Sequence, residues 1–425
     1  MSVSESGAIP VSPDVEGRGG ARFITAMPTQ MSLRLLPKNR VADLPFTDRS
    51  RLQTFSGRVA IFQGVKALGL GEGDHVLLPA YACGSEVDAV VKAGCDPVYY
   101  PVLPDLSPDL EACRARLAET KTIKAFFVTH YFGFAQPIAE MRHFADQHGL
   151  ALIEDCAHGF LSASPDGTPV GRTGDIAIFS YMKTLPLTDG GACVSNKTGL
   201  NVHDAQLRPP AISKLIGRFL FQLELSLKRN GAFAAKLFST VVRGPARLLK
   251  SAIHMLKGKK KPMAPPAEGR RETLTPSEEM EVLALDPARI NWSISKLASG
   301  TMARLDLDRI RDIRRRNYKR LVHAVGQIPG IRPLFDALPE GTCPLFCPIE
   351  LEDAPEVQLD LARNGVGTKY FWSYFHDGFP REAFPFETAL KTNVLVLPVH
   401  QDLEEADIDR VAAVLAKVMA ERARK

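Results

Sequence analysis

No C-x-x-C pair occurs in this 425-residue chain, and its seven cysteines (Cys83, Cys95, Cys113, Cys156, Cys193, Cys343 and Cys347) are odd in number and scattered. The closest two, Cys343 and Cys347, share an apolar, proline-containing stretch with no histidine beside it. Neither a disulfide framework nor a zinc site is expected, and the thiols read as reduced and mostly buried. Also missing is any run of about 18 apolar residues, so no membrane-spanning helix is expected. Residues 1–30 carry Ser, Gly and Pro but no apolar core of a signal peptide; they read as a loose tail, with the cytoplasm as the expected compartment. No internal repeat recurs at solenoid spacing.

What is present looks like an ordinary globular chain. Apolar residues make up 45% and charged residues 24%, close to the soluble average. The length predicts two or three domains with an ample core, which excludes wholesale disorder, collagen-like repeats and small cross-linked scaffolds. The net charge of +5 is unevenly spread: residues 211–261 hold twelve Lys or Arg and one acid, Glu224. The rest of the chain is therefore acidic on balance, unlike a globally basic nucleic-acid binder, and no nucleic acid is expected as a partner.

Between residues 51 and 196, short apolar runs alternate with helical patterns. Helices are predicted over 58–70, 86–93, 109–118 and 138–147, and strands at 75–78, 98–102, 124–129, 150–153, 176–179 and 192–194. Runs apolar throughout, separated by helices, predict a mostly parallel central sheet covered on both faces, an α/β fold of the doubly wound kind. The basic stretch breaks this rhythm. Its amphipathic pattern (Leu215, Phe219, Leu220, Leu223, Leu227) runs into a Lys- and Pro-rich linker, and a helical insertion over about 205–272 is predicted. That insertion is either a solvated lid or a platform for peripheral contact with an anionic membrane surface. A long helix is expected over 293–324, with Arg311, Arg314, Arg315 and Arg316 as a charged face. A smaller C-terminal α/β domain follows, with strands near 347–351 and 394–397 and helices over 357–364 and from 405. The predicted division is a tail (1–30), a large cofactor-binding domain (31–290) and a long helix with the small domain (291–425).

Ligands of open parallel sheets bind beyond the carboxyl ends of the strands. There this chain sets His130 and Tyr131; Glu154, Asp155, Cys156 and His158; and Ser180, Lys183 and the stretch Asp189-Gly190-Gly191. Such a set suits a phosphate-bearing aldehyde cofactor. A lysine amine can condense with the aldehyde, a buried aspartate can keep a pyridine nitrogen protonated, and Ser180 with the N–H groups at a helix start can bind phosphate. Ser56-Gly57-Arg58, ahead of the first helix, offers such a start. Structural readings stand beside these: Lys183 as a solvated lysine, Asp155 as a helix cap, His130 and His158 as satisfied core histidines.

The motifs Gly57-Arg58-Val59-Ala60-Ile61, Gly73-Asp74-His75-Val76, Thr129-His130-Tyr131-Phe132-Gly133, Ile153-Glu154-Asp155-Cys156-Ala157-His158, Gly174-Asp175-Ile176 with Phe179-Ser180, Lys183 and Leu397-Pro398-Val399-His400 occur in this order. In that succession the chain resembles the DegT/DnrJ/StrS family of pyridoxal-phosphate-dependent, fold-type I sugar aminotransferases, over residues 57–420. The resemblance implies pyridoxal 5'-phosphate as cofactor and Lys183 as the lysine that carries it and moves the proton. Asp155 would pair the pyridinium nitrogen, and His158, where the family usually has Gln, would meet the ring's phenolic oxygen. Ser56, Gly57, Arg58 and Ser180 would hold the phosphate, and Asn291 would reach the phosphate of a neighbouring subunit in a homodimer.

Three positions depart from the family pattern. Arg58 replaces a usual Thr, Ser293 stands where a basic residue is common, and the ring-stacking aromatic aligns with Cys83, so Tyr81 must substitute or stacking is lost. Lys183 argues against the dehydratase branch, which carries His there. The implied reaction moves an amino group from an amino-acid donor, glutamate, to a keto-sugar nucleotide for glycan or glycosylated-metabolite synthesis. A non-sugar carbonyl substrate, or a scaffold with degraded catalysis, are the alternatives.

Overall fold

The computed structural model describes residues 23–28, 44, 46–202, 206–213, 215–216, 218–220, 284–370, 372 and 374–424. Most of the predicted tail, and the basic insertion beyond residue 220, lie outside the described residues.

The apolar runs become the strands of one seven-stranded sheet, in the order β1-β7-β6-β5-β4-β2-β3. Its strands are β1 (Ser50–Thr54), β2 (His75–Pro79), β3 (Asp96–Tyr100), β4 (Ile123–Thr129), β5 (Ala151–Asp155), β6 (Ile176–Ser180) and β7 (Gly191–Ser195). β6 and β7 are buried at every residue, as strands covered on both faces must be. The run from β6 through β5, β4 and β2 to β3 is parallel, whereas β7 and then β1 add antiparallel at one edge. The chain steps from β2 outward to β3 and then returns to the other side of β2 for β4, so strand order reverses there. The crevice beyond the carboxyl ends at such a reversal is where open α/β sheets bind ligands.

Connecting helices supply the covering layers. Among them are α1 (Gly57–Ala67), α2 (Gly84–Lys92), α3 (Leu110–Glu119), α4 (Ile138–Gln147) and the short α5 (Tyr181–Thr184), the last set between β6 and β7. Ser56 caps α1, its hydroxyl accepting from the Val59 N–H at 3.5 Å, and Asp109 caps α3 through two N–H groups at 3.0 Å. A second sheet is antiparallel throughout, in the order β10-β11-β9-β8. Its strands are β8 (Arg332–Pro333), β9 (Phe346–Glu350), β10 (Lys369–Tyr370) and β11 (Val394–Pro398). Among the described residues no helix is long and apolar enough to cross a membrane, and all seven cysteines are free.

Two readings of the sequence need correction. The pattern over 293–324 is not one helix but two, Lys296–Met302 and Leu307–Val325. Asp306 interrupts them, because its carboxylate accepts the Arg309 N–H at 3.0 Å and starts a new helix. Arg314, expected on a charged outer face, is wholly buried. Its guanidinium donates to Gln401 Oε1 (2.8 Å), to the carbonyls of Pro344 (3.2 Å) and Leu345 (3.1 Å), and to the Thr184 carbonyl (2.9 Å). One cation thus ties the turn after β6 to the C-terminal part of the chain. Arg314→Met strands three buried acceptors, the Thr184 carbonyl keeping Gln401 Nε2 at 3.1 Å, and a loss of about 3–5 kcal/mol in unfolding free energy is expected. Denaturant titration checks this; a loss under about 1 kcal/mol would mean that water replaces the guanidinium.

Candidate active site

The site is assembled from strand ends. β5 ends at Asp155, which is buried and accepts the Ala157 N–H on Oδ1 at 2.9 Å. Burial pushes its carboxyl up, while the Lys183 ammonium and that N–H pull it down. Lys183 projects from α5, one turn beyond β6. The turn is closed by the Tyr181 N–H donating to the Gly190 carbonyl at 3.1 Å. Behind it, the buried Asp189 accepts from the Ser295 N–H and hydroxyl, both at 2.8 Å. Asp189-Gly190-Gly191 is therefore the anchor of the lysine turn.

The expected phosphate residues also meet. Gly57 opens α1 directly against Ser180 at the end of β6, and a Cβ at residue 57 would sit 3.1 Å from the Ser180 Cβ. Only a glycine leaves that space open, beside N–H groups of the helix start that have no intrahelical acceptor. Ser56 spends its hydroxyl on the α1 cap. Arg58 directs Nη1 to the Ala284 carbonyl at 2.7 Å. Asn291 is exposed, in a segment held beside β1 by the Phe55 N–H donating to the Trp292 carbonyl at 2.9 Å.

His158 is buried, and Nδ1 accepts the Phe132 N–H at 3.4 Å. That bond assigns the proton of the neutral ring to Nε2. Burial first, then the ammonium groups of Lys183 and Lys369, hold the imidazole well below its usual range, so it is a neutral donor. His130 proves structural: Nε2 lies 3.0 Å from Glu154 Oε2, both groups fully buried. Glu154 further accepts the N–H groups of Gly171, Thr173 and Gly174, and Asp175 accepts the Leu152 N–H at 2.8 Å and Arg142 Nη1 at 2.9 Å. Those two motif acids build the sheet end that carries Asp155.

Tyr81 does not expose its ring to the site. It is fully buried, edge-on to Trp372 with ring centres 4.7 Å apart and stacked on Tyr131 at 5.5 Å. Cys83 starts α2 and accepts from the Ser85 hydroxyl at 3.2 Å. Burial and Glu86 raise its thiol.

Three charged groups escaped the reading of the sequence. Glu86, in the first turn of α2, is buried with its carboxyl pushed up to about 7 by burial and by Asp155, against the pull of Lys183 and Lys391. Lys369, on β10, is held down to about 8 by burial and by Lys183. Lys391 is held down to about 8 by burial and donates to the carbonyls of Ala82, Trp372 and Tyr374. Nothing local marks them, since each lies in an ordinary helix or strand pattern and only the tertiary fold turns it inward.

Glu86 yields a test that needs no substrate. A folded carboxyl raised from 4.5 to about 7 contributes stability below pH 4.5 that is lost as pH rises towards 7, on the order of 3 kcal/mol in all. Glu86→Gln is therefore expected to unfold at higher urea than the parent at pH 8 and at about the same urea at pH 4.5. Equal differences at both values would show that Glu86 titrates normally.

Residues 48–222 match the model of the DegT/DnrJ/EryC1/StrS aminotransferase family. Over 144 residues, 33% of this chain and 38% of the relative, the sequence is 34% identical to GDP-perosamine synthase of Vibrio cholerae. Over 145 residues, 33% of each, it is 34% identical to L-glutamine:2-deoxy-scyllo-inosose aminotransferase of Streptomyces kanamyceticus. The matched stretch thus spans about a third of the curated relatives' length. The fold is similar to that of the aminotransferase TlmJ from Streptoalloteichus hindustanus, with a TM-score of 0.59 at 21% identity, covering 88% of this chain and 87% of that one. It is also similar to 3-amino-5-hydroxybenzoic acid synthase, with a TM-score of 0.60 at 17% identity, covering 89% and 90%.

Proposed function

We propose that the chain is a member of the DegT/DnrJ/EryC1/StrS aminotransferase family, whose model it matches over residues 48–222, and that it is a pyridoxal-phosphate-dependent aminotransferase that moves an amino group from an amino-acid donor to the keto group of a nucleotide-linked sugar. One observation carries the reading: a lysine, a buried aspartate, a neutral histidine and a glycine–serine cradle at a helix start come together at the ends of neighbouring strands.

The residues fit the cofactor. The space at Gly57 and the N–H groups of α1 suit a phosphate, and the Ser180 hydroxyl stands beside them. Pyridoxal 5'-phosphate, when bound, supplies an aldehyde that joins to amines and a ring that draws electrons from the adjacent carbon. Asp155 would hold a proton on the ring nitrogen, a positive partner for its buried carboxylate. His158, with Nδ1 occupied by the Phe132 N–H, would donate Nε2–H to the ring oxygen. Lys183 Nζ would take the proton from the donor's Cα and return it to the carbon that the aldehyde supplies. Glu86, which titrates near neutrality beside Lys183, accepts the proton that an incoming ammonium must shed before it can act as a nucleophile. The exposed Asn291 reaches the corresponding site of a second copy in a homodimer.

The test is the visible spectrum of the purified protein with added cofactor, before and after L-glutamate or L-glutamine. A bound-cofactor band that bleaches with one donor and recovers on adding a keto-sugar nucleotide is the expected result. Recovery only with an inosose would move the acceptor to cyclitol ketones, the class named for the Streptomyces relative. The absence of any band would overturn the enzyme reading.

A further inference from the structure

Trp372 stands at φ +60°, a left-handed backbone conformation that is strained for a bulky residue and persists only where its surroundings enforce it. They do so here. The Trp372 carbonyl accepts from Lys391 Nζ at 3.3 Å, and the same ammonium donates to the carbonyls of Tyr374 (2.9 Å) and Ala82. That single buried cation ties the segment after β10 to the loop after β2.

The indole it positions is 7% exposed. It lies flat on the His158 imidazole, with ring centres 5.2 Å apart and planes 20° from parallel, and also flat on Phe132 at 5.8 Å. The rings of Tyr81 (4.7 Å) and Tyr131 (5.5 Å) meet it edge-on from below. Cys83, by contrast, offers no ring, and Tyr81 is shut beneath the indole. Trp372 is the most exposed of these rings, and its indole face stacks alongside the histidine that borders Asp155 and Lys183. A planar, positively charged heteroaromatic ring held by Asp155 gains from such a face, both by excluding water and by stacking.

We infer that Trp372, tethered by Lys391, is the aromatic wall of the cofactor-ring pocket in this chain, supplied by the C-terminal segment instead of by the loop after β2. This rests on the cofactor reading above, and the experiment separates the two. Cofactor affinity is measured from the visible band, together with the circular dichroism of that band, in the full-length protein and in Trp372→Leu, Trp372→Phe and Lys391→Met; apoprotein unfolding is followed in parallel.

Trp372→Leu is expected to weaken pyridoxal phosphate at least tenfold and to change the sign or size of the dichroic band. Trp372→Phe, which keeps a ring, should stay within about threefold, with unfolding temperatures close to the parent's. Parent-like affinity and dichroism in Trp372→Leu would overturn the inference while leaving the cofactor reading intact. A parent protein with no band at all would overturn both. Should Trp372→Leu fail to fold, Lys391→Met decides: it keeps the indole but frees its tether, and affinity unchanged from the parent would overturn the inference.

Discussion

Lys183→Ala is expected to retain the fold and to lose at least about a thousandfold in transamination rate, the scale of removing a group that both anchors the reactant and moves its proton. The fold should survive because the backbone of the turn does not depend on the side chain. The Tyr181 N–H is fixed to Gly190, and the Thr184 carbonyl is held by Arg314 at 2.9 Å and by Gln401 Nε2 at 3.1 Å. Removing the ammonium also leaves a signature that a merely structural residue would not. Lys183 is one of the charges holding down His158 and Lys369, so both should titrate higher in the variant, with His158 still below the usual imidazole range because burial is its larger cause. Activity measured with cofactor and donor, and the His158 resonance followed by NMR, check the two halves. A variant within tenfold of the parent would mean that another amine does the work, and Lys369 is then the first to replace.

Much of this site can be read from the chain because the residues lie at the ends of apolar runs. β4, β5 and β6 are buried throughout or nearly so, and His130, Asp155 and Ser180 follow from where those runs stop. What the runs do not carry is their order. That β1 closes the edge against β7 depends on pairing across more than a hundred residues, and no local pattern encodes it. Burial of single charged residues is hidden for the same reason. Arg314 shares a helix with the half-buried or exposed Arg311, Arg315 and Arg316, and it turns inward because carbonyls from Thr184, Pro344 and Leu345 wait there. Glu86 and Lys391 read as ordinary helix surface until α2 and the C-terminal segment are laid against the strand ends. Tyr81 shows the converse. The resemblance offered it only as a substitute for the aromatic that aligns with Cys83, and its ring is packed against Tyr131 and Trp372.

Asp155→Asn is the second large effect, expected at about a hundredfold to a thousandfold in kcat with little change in stability. The amide oxygen can still accept the Ala157 N–H that Asp155 Oδ1 accepts at 2.9 Å, so the strand end stays formed; what disappears is the negative charge. A neutral amide cannot hold a proton on a pyridine nitrogen, and the ring then draws electrons less strongly from the carbon that Lys183 must deprotonate. The loss should therefore fall on the proton-transfer step, with the KM for the donor changing severalfold at most. The direction of the pH dependence follows from the burial. With its carboxyl raised by desolvation and only partly lowered by Lys183, Asp155 of the cofactor-free protein takes up a proton at a higher pH than an exposed aspartate, and activity that depends on loading the cofactor should decline on that acid limb. The variant, having no carboxyl to protonate, should lose that limb while keeping whatever limb Glu86 contributes, so Asp155→Asn combined with Glu86→Gln should be flat on the acid side. A single variant that keeps both the parent's rate and its acid limb would place the proton-holding group elsewhere, with Glu86 as the remaining buried carboxyl beside Lys183.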